Sequence, residues 1–535
     1  MKKFYNNNPK SFNTIQLTDE YKTIIQNNSY IGHKGYSILK KFLSENDLEF
    51  LKKELYVKPV IFGVTGNTDN NAFYVYRESS SKIFLPRFFG IQRYGLPIKN
   101  EITTGDNINV PFVKDLRDFQ TNIVSVYMNY VKSPISINNL DINGNGGILE
   151  VPCGKGKTVM ALKIISLLQK KTIILVHKEF LMNQWIERIR EFVPSARIGK
   201  IQASEFDIKD KDIVIGMIQT VYNKDYPKNT FSSFGLTIID EVHRIGSEQF
   251  SKTLLNIVTP YMLGISATVE RKDKLTKVLY MFIGNKIYEE KRQDDDSVVV
   301  KSITYISNDS DFNQTEYDYR GSPKYSTMLS KLSNFNSRNS FVVKLIADLL
   351  HENVNKQIMI LTHQRCVLTY LHDAINHQNI ATVGYYVGGM KPKDLQETES
   401  KQIVLATYAM AAEALDIKTL STLIMVTPKT EITQSVGRIL RTKHNQPIVV
   451  DIIDQHDMYQ KQWVQRKRFY KNNNYKILNI NSNDYINMDT TGNNWKLIFE
   501  PKDKSSVVAK EKPKCLINIS DNDINNVVFE SAYYN

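Results

Sequence analysis

At 535 residues the sequence is too long for one hydrophobic core and must divide into several domains. Hydrophobic residues make up 41% and charged residues 23%, an ordinary balance for a folded protein, and no apolar run approaches the ~20 residues that cross a bilayer, which excludes a helical membrane protein. Lysine and arginine (69) outnumber aspartate and glutamate (56), and the resulting net charge of +13 favours a polyanionic partner such as nucleic acid.

The amino terminus, Met1 to Lys10, lacks the apolar centre of a secretory signal, so a soluble, intracellular protein with no membrane partner is expected. Residues 1–112 mix polar and apolar stretches, such as Tyr36 to Leu55, Ala72 to Tyr76 and Lys82 to Phe89, and read as a small α+β accessory domain. From Phe112 onward short apolar runs alternate with helical stretches: Gly147 to Val151, Thr172 to His177, Asp212 to Ile218, Leu236 to Asp240 and Met262 to Ser266. A second set comes at Gln357 to Thr362, Thr382 to Val387, Gln402 to Thr407, Thr422 to Thr427 and Pro447 to Ile453. Such alternation predicts βαβ units on buried parallel sheets, hence two α/β domains, at 113–290 and 291–475. The polar stretch Glu289 to Ser297, with Asp294, Asp295 and Asp296, reads as the linker between them, and the Asn-rich text of 476–535 as a small appendage and tail. Cys153, Cys366 and Cys515 are far apart and form no Cys-x-x-Cys pair, so neither a zinc site nor a disulfide framework is expected.

Val151-Pro152-Cys153-Gly154-Lys155-Gly156-Lys157-Thr158 stands between a strand and the helical pattern Met160 to Leu168. That is the place for a loop that cradles phosphate. Glycines let successive N–H groups point inward, and the following helix adds its dipole. Lys157 would reach the β and γ phosphates of ATP, and the Thr158 hydroxyl would hold Mg²⁺. A neighbouring apolar strand, Leu236 to Ile239, closes on Asp240-Glu241-Val242-His243. There Asp240 can bind the metal and Glu241 can orient and deprotonate the attacking water, while His243 could sense the state of the nucleotide.

With these two elements in order, the sequence resembles the superfamily 2 helicases, Asp240 to His243 standing as the DExH box. Ser266-Ala267-Thr268 matches the family's element that couples nucleotide to domain movement, and Gln434-Ser435-Val436-Gly437-Arg438-Ile439-Leu440-Arg441 matches its QxxGRxxR. The resemblance covers about Val113 to Tyr475 and implies two tandem RecA-like domains with parallel sheets. It implies ATP and Mg²⁺ as cofactors and nucleic acid as partner. Arg438 and Arg441, spaced as neighbours on one helical face, would neutralise charge on the transferring phosphoryl group only when the domains close. Leu116-Arg117-Asp118-Phe119-Gln120 resembles the family's LRxxQ, in which Gln120 would read the adenine edge.

The family passes a single strand across both domains at strand ends opposite the ATP cleft, gripping phosphates more than bases. The matching positions are His177 and Lys178, Gln219 and Thr220, Thr362 to Gln364, and Thr407 with Glu413 to Asp416. Lys461 to Lys476 interleaves basic and aromatic residues, but Trp463, Lys467 and Tyr470 share helical spacing, so a packed aromatic stripe with a solvated basic face is the preferred reading. Phe73 to Tyr76, Leu85 to Gly90, Leu181 to Trp185, Ser266 to Asp273 and Ala406 to Ile417 look like the XPB-like branch and the transcription helicases of large cytoplasmic DNA viruses, the poxviral transcript-release type among them. Val269, Lys274 and Ala414 depart from that pattern. The branch implies DNA in preference to RNA, 3′ to 5′ movement, a role in viral transcription with the transcription machinery as a partner, and the host cytoplasm or virion as location. A double-strand translocase without strand separation and an RNA helicase are the alternatives.

Overall fold

The computed structural model describes residues 17–59, 71–132, 134–137, 140–143, 145–152, 154–224, 226–227, 229–244, 248–271, 273, 275–290, 298–413, 417–440, 444, 446–491, 494–501 and 514–515. The chain divides into two compact units, Met1–Lys291 with Glu511–Asn535, and Arg292–Lys510. The expected linker acids Asp294 to Asp296 lie outside the described residues.

In the first unit the amino-terminal segment builds a sheet of five strands in the order Arg77–Glu78, Lys82–Leu85, Gly35–Leu39, Ser29–Gly32 and Lys99–Asn100. This is the expected α+β element, but it does not stand apart from the rest of the unit. Its helix Arg87–Tyr94 packs on the helix Thr276–Ile283, and Phe89, Ile91 and Tyr94 share one apolar core with Met262, Leu279, Phe282 and Ile283. Polar ties reinforce that seam. The buried Arg87 donates to the carbonyl of Thr259 at 2.7 Å, Arg77 to the side chain of Asn256 at 2.8 Å, and Lys277 pairs with Glu54 at 2.8 Å.

The main sheet of this unit has nine strands, in the order Glu205–Phe206, Ile198–Gln202, Ile213–Met217, Thr172–Val176, Leu236–Asp240, Tyr261–Ser266, Gly146–Glu150, Lys286–Glu289 and Lys514–Cys515. All pairings are parallel except those of the two outermost short strands. Thr172–Val176 and Leu236–Asp240 are buried at every position, as strands must be when helices cover both faces. The helices Asp118–Lys132, Lys157–Leu168 and Glu179–Phe192 supply much of that cover through Ile123, Tyr127, Ile164, Ile165, Trp185 and Ile189.

The second unit carries an eight-stranded sheet ordered Val383–Tyr386, Ile403–Thr407, Gln357–Thr362, Leu420–Met425, Ile448–Asp454, Val299–Tyr305, Lys476–Asn481 and Lys496–Phe499, parallel but for the last strand. Both units therefore carry the expected RecA-like α/β architecture. One segment departs from expectation. Lys476–Asn481, which reads as irregular text beyond the second domain, pairs in parallel with Val299–Tyr305 and buries Ile477, Leu478 and Ile480. Its polar member is satisfied locally, since the Asn479 amide donates to the Ser302 hydroxyl at 3.1 Å. The helix Asp457–Asn472 follows the packed reading of the basic stretch: Tyr459, Trp463 and Tyr470 are buried along one face. Arg466 is buried there too, against Asp451.

Candidate active site

Three neighbouring parallel strands build the site. Glu150 at the end of Gly146–Glu150 is in register with Ser266 at the end of Tyr261–Ser266, and Ile265 with Asp240 at the end of Leu236–Asp240. All three therefore release their loops at one edge of the sheet. From the first comes the phosphate loop. Val151 is buried, Gly154 and Gly156 have φ of 82° and 81°, and the helix Lys157–Leu168 starts directly after Gly156. A Cβ on Gly156 would fall 2.4 Å from the amide nitrogen of Gln120, so the position requires glycine for space as well as for its left-handed backbone. Lys155 pairs with Glu290 at 3.1 Å, and Thr158 stands half-buried in the first turn of the helix. Cys153 lies outside the described residues.

Gln120 spans the base of this loop. Its amide donates to the carbonyl of Lys155 at 2.9 Å, and its oxygen accepts from the N–H of Arg117 at 3.0 Å. The structure thus places it against the phosphate loop, with both ends of the carboxamide engaged by backbone.

Asp240 closes its strand nearly buried, and burial, with the Glu241 charge second, pushes its carboxyl up to about 6 against the opposing pull of Lys157 and Trp185. The next residue leaves the strand in a rare way. Glu241 has φ of 50°, in the left-handed region that non-glycine residues seldom enter. A continuing strand would send its side chain to the face opposite that of Asp240. The left-handed turn instead brings its carboxylate to 3.3 Å from Lys157 Nζ. His243 sits in the short helix Val242–Arg244 with Nδ1 2.7 Å from Ser266 Oγ and 3.3 Å from Glu241 Oε2. The Ser266 hydroxyl donates its single proton to the Thr268 carbonyl at 2.6 Å, so it must accept from His243 Nδ1, which fixes the proton on that ring nitrogen. Lys157, Asp240, Glu241, His243, Ser266 and Thr268 thus form one connected group. Arg271 closes it from behind, donating to the His243 carbonyl and pairing with Asp273.

Sequence reasoning missed one member. Trp185, on the helix Glu179–Phe192, is 1% exposed and its indole N–H donates to Asp240 Oδ2 at 2.9 Å. The signal was a single tryptophan on an apolar helical stripe of Leu181, Met182, Ile186 and Ile189, because a buried indole N–H requires an acceptor.

The expected strand-gripping residues of this unit are also brought together. His177 follows Thr172–Val176, Gln219 and Thr220 follow the adjacent Ile213–Met217, and the Gln219 amide donates to the His177 carbonyl at 3.0 Å. Lys178 stands beside them at the start of Glu179–Phe192. Parallel pairing puts these loops on the same edge of the sheet as the phosphate loop, the next strands along from Asp240, and not at opposite strand ends. In the second unit Thr362 and Thr407 are register partners at the ends of adjacent strands. Thr362 is fully buried, its hydroxyl 3.5 Å from that of Thr427, while Thr407 is half-buried and the Gln364 amide donates to Ser330 at 2.9 Å. Gln434 and Arg438 belong to the helix Thr433–Arg438, which ends at Arg438, with that side chain nearly buried and acting electrostatically on Tyr386. Arg441 and Asp416 lie outside the described residues, as does the side chain of Glu413.

The family described as the res subunit of Type III restriction enzymes matches residues 114–271. A protein of Acanthamoeba polyphaga mimivirus, provisionally named an ATP-dependent RNA helicase, is 32% identical over 454 residues, covering 83% of this chain and 85% of its own. An African swine fever virus protein with the same provisional naming is 26% identical over 403 residues, covering 68% and 75%. A DNA 3′-5′ translocase of Sulfurisphaera tokodaii is 29% identical over 209 residues, covering 38% and 43%.

Proposed function

This chain belongs to the superfamily 2 helicases and is an ATP-hydrolysing helicase enzyme, and from that premise we propose that it tracks along DNA in preference to RNA, 3′ to 5′, during viral transcription or transcript release. The observation that carries the motor is the convergence of the phosphate loop, the two acids and Ser266 at one edge of three adjacent strands. Their chemistry fits a nucleotide with a divalent cation. The loop offers backbone N–H groups around Gly154 and Gly156, both with left-handed backbone and the second with no room for a side chain, and a buried carboxylate stands beside it with its affinity for protons raised.

Residue roles come from that fit. Lys157 binds the β and γ phosphates, with Val151 to Lys155 and Gly156 shaping the loop. Thr158 and Asp240 hold Mg²⁺, which when bound neutralises charge on the phosphates. Glu241 takes the proton of the attacking water, and His243, Ser266 and Thr268 couple that site to movement. Gln120 recognises adenine with the donor and acceptor capacity its backbone contacts leave over. Gln434, Arg438 and Arg441 act on the charge that develops during transfer. His177, Lys178, Gln219, Thr220, Thr362, Gln364, Thr407, Glu413 and Asp416 line the path of the polymer. Residues 113–290 and 291–475 form the bodies of the two motor domains, the second completed by the strand Lys476–Asn481, with 1–112 as accessory and the rest of 476–535 as appendage, working with the transcription machinery in the host cytoplasm or virion.

The likeness to a DNA 3′-5′ translocase supports the choice of DNA and of polarity, while the net charge of +13 suits either polymer. The names borne by the mimivirus and African swine fever virus relatives support the second reading, an RNA helicase. ATP turnover measured without polymer, and with single-stranded DNA, duplex DNA and RNA, separates them. Single-stranded DNA should stimulate most, with strand displacement on substrates carrying a 3′ tail and none on those with a 5′ tail. Stimulation by RNA alone overturns the DNA reading, and duplex-only stimulation without displacement replaces it with a double-strand translocase. Binding should weaken with salt at a log-log slope of about −0.7 per contacted phosphate.

A further inference from the structure

Among the described residues, the indole of Trp185 is the one neutral side chain tied to the carboxylate of Asp240 by a hydrogen bond, at 2.9 Å. Fifty-five residues separate the two in sequence. Both are buried, Trp185 at 1% and Asp240 at 7% exposure. We propose that Trp185 is a positioning residue that presets the Asp240 carboxylate for Mg²⁺, an inference that rests on the reading of Asp240 as the residue that holds the metal.

Three physical features support this. An indole N–H donates and cannot accept, so the contact has one polarity and commits Oδ2 as the acceptor. The donor is also neutral. An arginine or lysine in its place would orient the carboxylate equally well, but would add a positive charge competing with the divalent cation for the same group. Finally, the indole is held in place, because it stands on the helix Glu179–Phe192 among Leu181, Met182, Ile186 and Ile189 in the core beneath the sheet. A carboxylate held by a fixed donor presents its remaining acceptor capacity in one direction. Without that donor, Oδ2 would be left unpaired in a dry site, and the group would turn toward other partners. Lys157, which already acts on it electrostatically and is needed by the phosphates, is the foremost of these.

Trp185→Phe removes the donor and keeps an aromatic ring. The expected result is that half-saturating Mg²⁺ rises roughly 10- to 100-fold, the usual cost of losing a group that orients a metal ligand. The same shift should be seen in ATP turnover and in binding of a fluorescent ATP analogue. Maximal turnover at high Mg²⁺ should recover, and analogue binding in EDTA should match wild type. Mg²⁺ curves that superpose on wild type overturn the proposal. Asp240→Asn is run in parallel: if it leaves the Mg²⁺ dependence unchanged, the metal-holding reading itself fails, whereas a shift there with none in Trp185→Phe removes only the role of Trp185. Should Trp185→Phe fail to fold, the intact site still decides. The sequence has three tryptophans, so Trp463→Phe with Trp495→Phe leaves Trp185 as the sole indole. Its emission should change when Mg²⁺ is added to the ATP-saturated protein, and the change should vanish once Asp240→Asn is introduced as well. No change on adding Mg²⁺, or one that persists in the Asp240→Asn background, overturns the assignment.

Discussion

Lys157 and Glu241 meet at 3.3 Å although 84 residues separate them, and the two halves of that pair predict different losses. Lys157→Ala should abolish both tight binding and turnover, because the ammonium is the main side-chain charge offered to the β and γ phosphates. Glu241→Gln should keep ATP bound and stop multiple turnover, since it removes only the acceptor of the water's proton. A nucleotide-binding titration beside a phosphate-release assay distinguishes the two, and near wild-type turnover by Glu241→Gln would take that residue out of the reaction. Asp240 carries a separate prediction about stability. Burial raises its carboxyl from 3.8 in the unfolded chain to about 6, so the metal-free fold bears the full cost of its charge above pH 6 and none below the unfolded value. Asp240→Asn should therefore raise the melting temperature by a few degrees at pH 8, with the gain shrinking as pH falls through 6 toward 5. A gain that is equal at both pH values would mean that ionisation is not its source. These residues are legible in the sequence because each lies in a short contiguous pattern whose chemistry is local. The Trp185 indole is not, because its acceptor comes from another strand and only folding makes the pair.

At the scale of elements, the same distinction separates what periodicity reveals from what pairing decides. The helix Asp457–Asn472 is readable from the spacing of Trp463 and Tyr470, yet the charge of Arg466 reads as part of the solvated basic face although it falls three residues after the one and four before the other. It stands instead on the buried face, with both Arg466 and Asp451 only 1% exposed and 2.8 Å apart, and Tyr470 donating to the same carboxylate at 2.9 Å. Spacing alone does not mark an arginine for burial. The mark is Asp451, an acid inside the fully buried strand Ile448–Asp454, which needs a cation opposite. The strand Lys476–Asn481 escapes a sequence reading for a related reason: its asparagines look like loop text until Ser302 and Thr304 are seen across the ladder. Arg466→Ala should destabilise the second unit by about 3–5 kcal/mol, the cost of an uncompensated buried charge. Asp451→Leu combined with Arg466→Met should recover part of that loss, and urea unfolding of both variants checks it. A loss below about 1 kcal/mol for Arg466→Ala would class the pair with surface ion pairs.

For the molecule as a whole, the alternation of strands and helices announces two parallel sheets, but it cannot announce that the amino-terminal segment, with a sheet of its own, shares a core with the unit that holds the first of them. Sequence patterns suggest a cut near residue 113. The structure argues against that cut, because the helix Arg87–Tyr94 shares its core with the helix Thr276–Ile283, and Gly146, which opens the phosphate-loop strand, has no room for a Cβ beside Phe88. Removing residues 1–112 would bare Met262, Leu279, Phe282 and Ile283 and leave the carbonyls of Thr259 and Pro260 without the Arg87 guanidinium. At about 1.5–3 kcal/mol for each large apolar side chain, baring these four costs about 6–12 kcal/mol, comparable to a typical domain's whole net stability of about 5–15 kcal/mol. A fragment of residues 113–290 should therefore aggregate or unfold without a cooperative transition, whereas residues 1–291 should melt cooperatively and bind a fluorescent ATP analogue. Binding by the longer fragment should survive without rapid turnover, because Gln434, Arg438 and Arg441, assigned to the transition state, are missing from it. Restoring turnover should need the full chain and polymer together, and Arg441→Ala in the full chain should fall by roughly 10³ to 10⁵ toward the fragment's rate with ATP affinity little changed. If residues 113–290 alone proved cooperative and bound nucleotide as well as residues 1–291, the shared core would be dispensable; if either fragment turned over ATP at the polymer-stimulated rate of the full chain, the arginines of the second unit would have no part in the reaction.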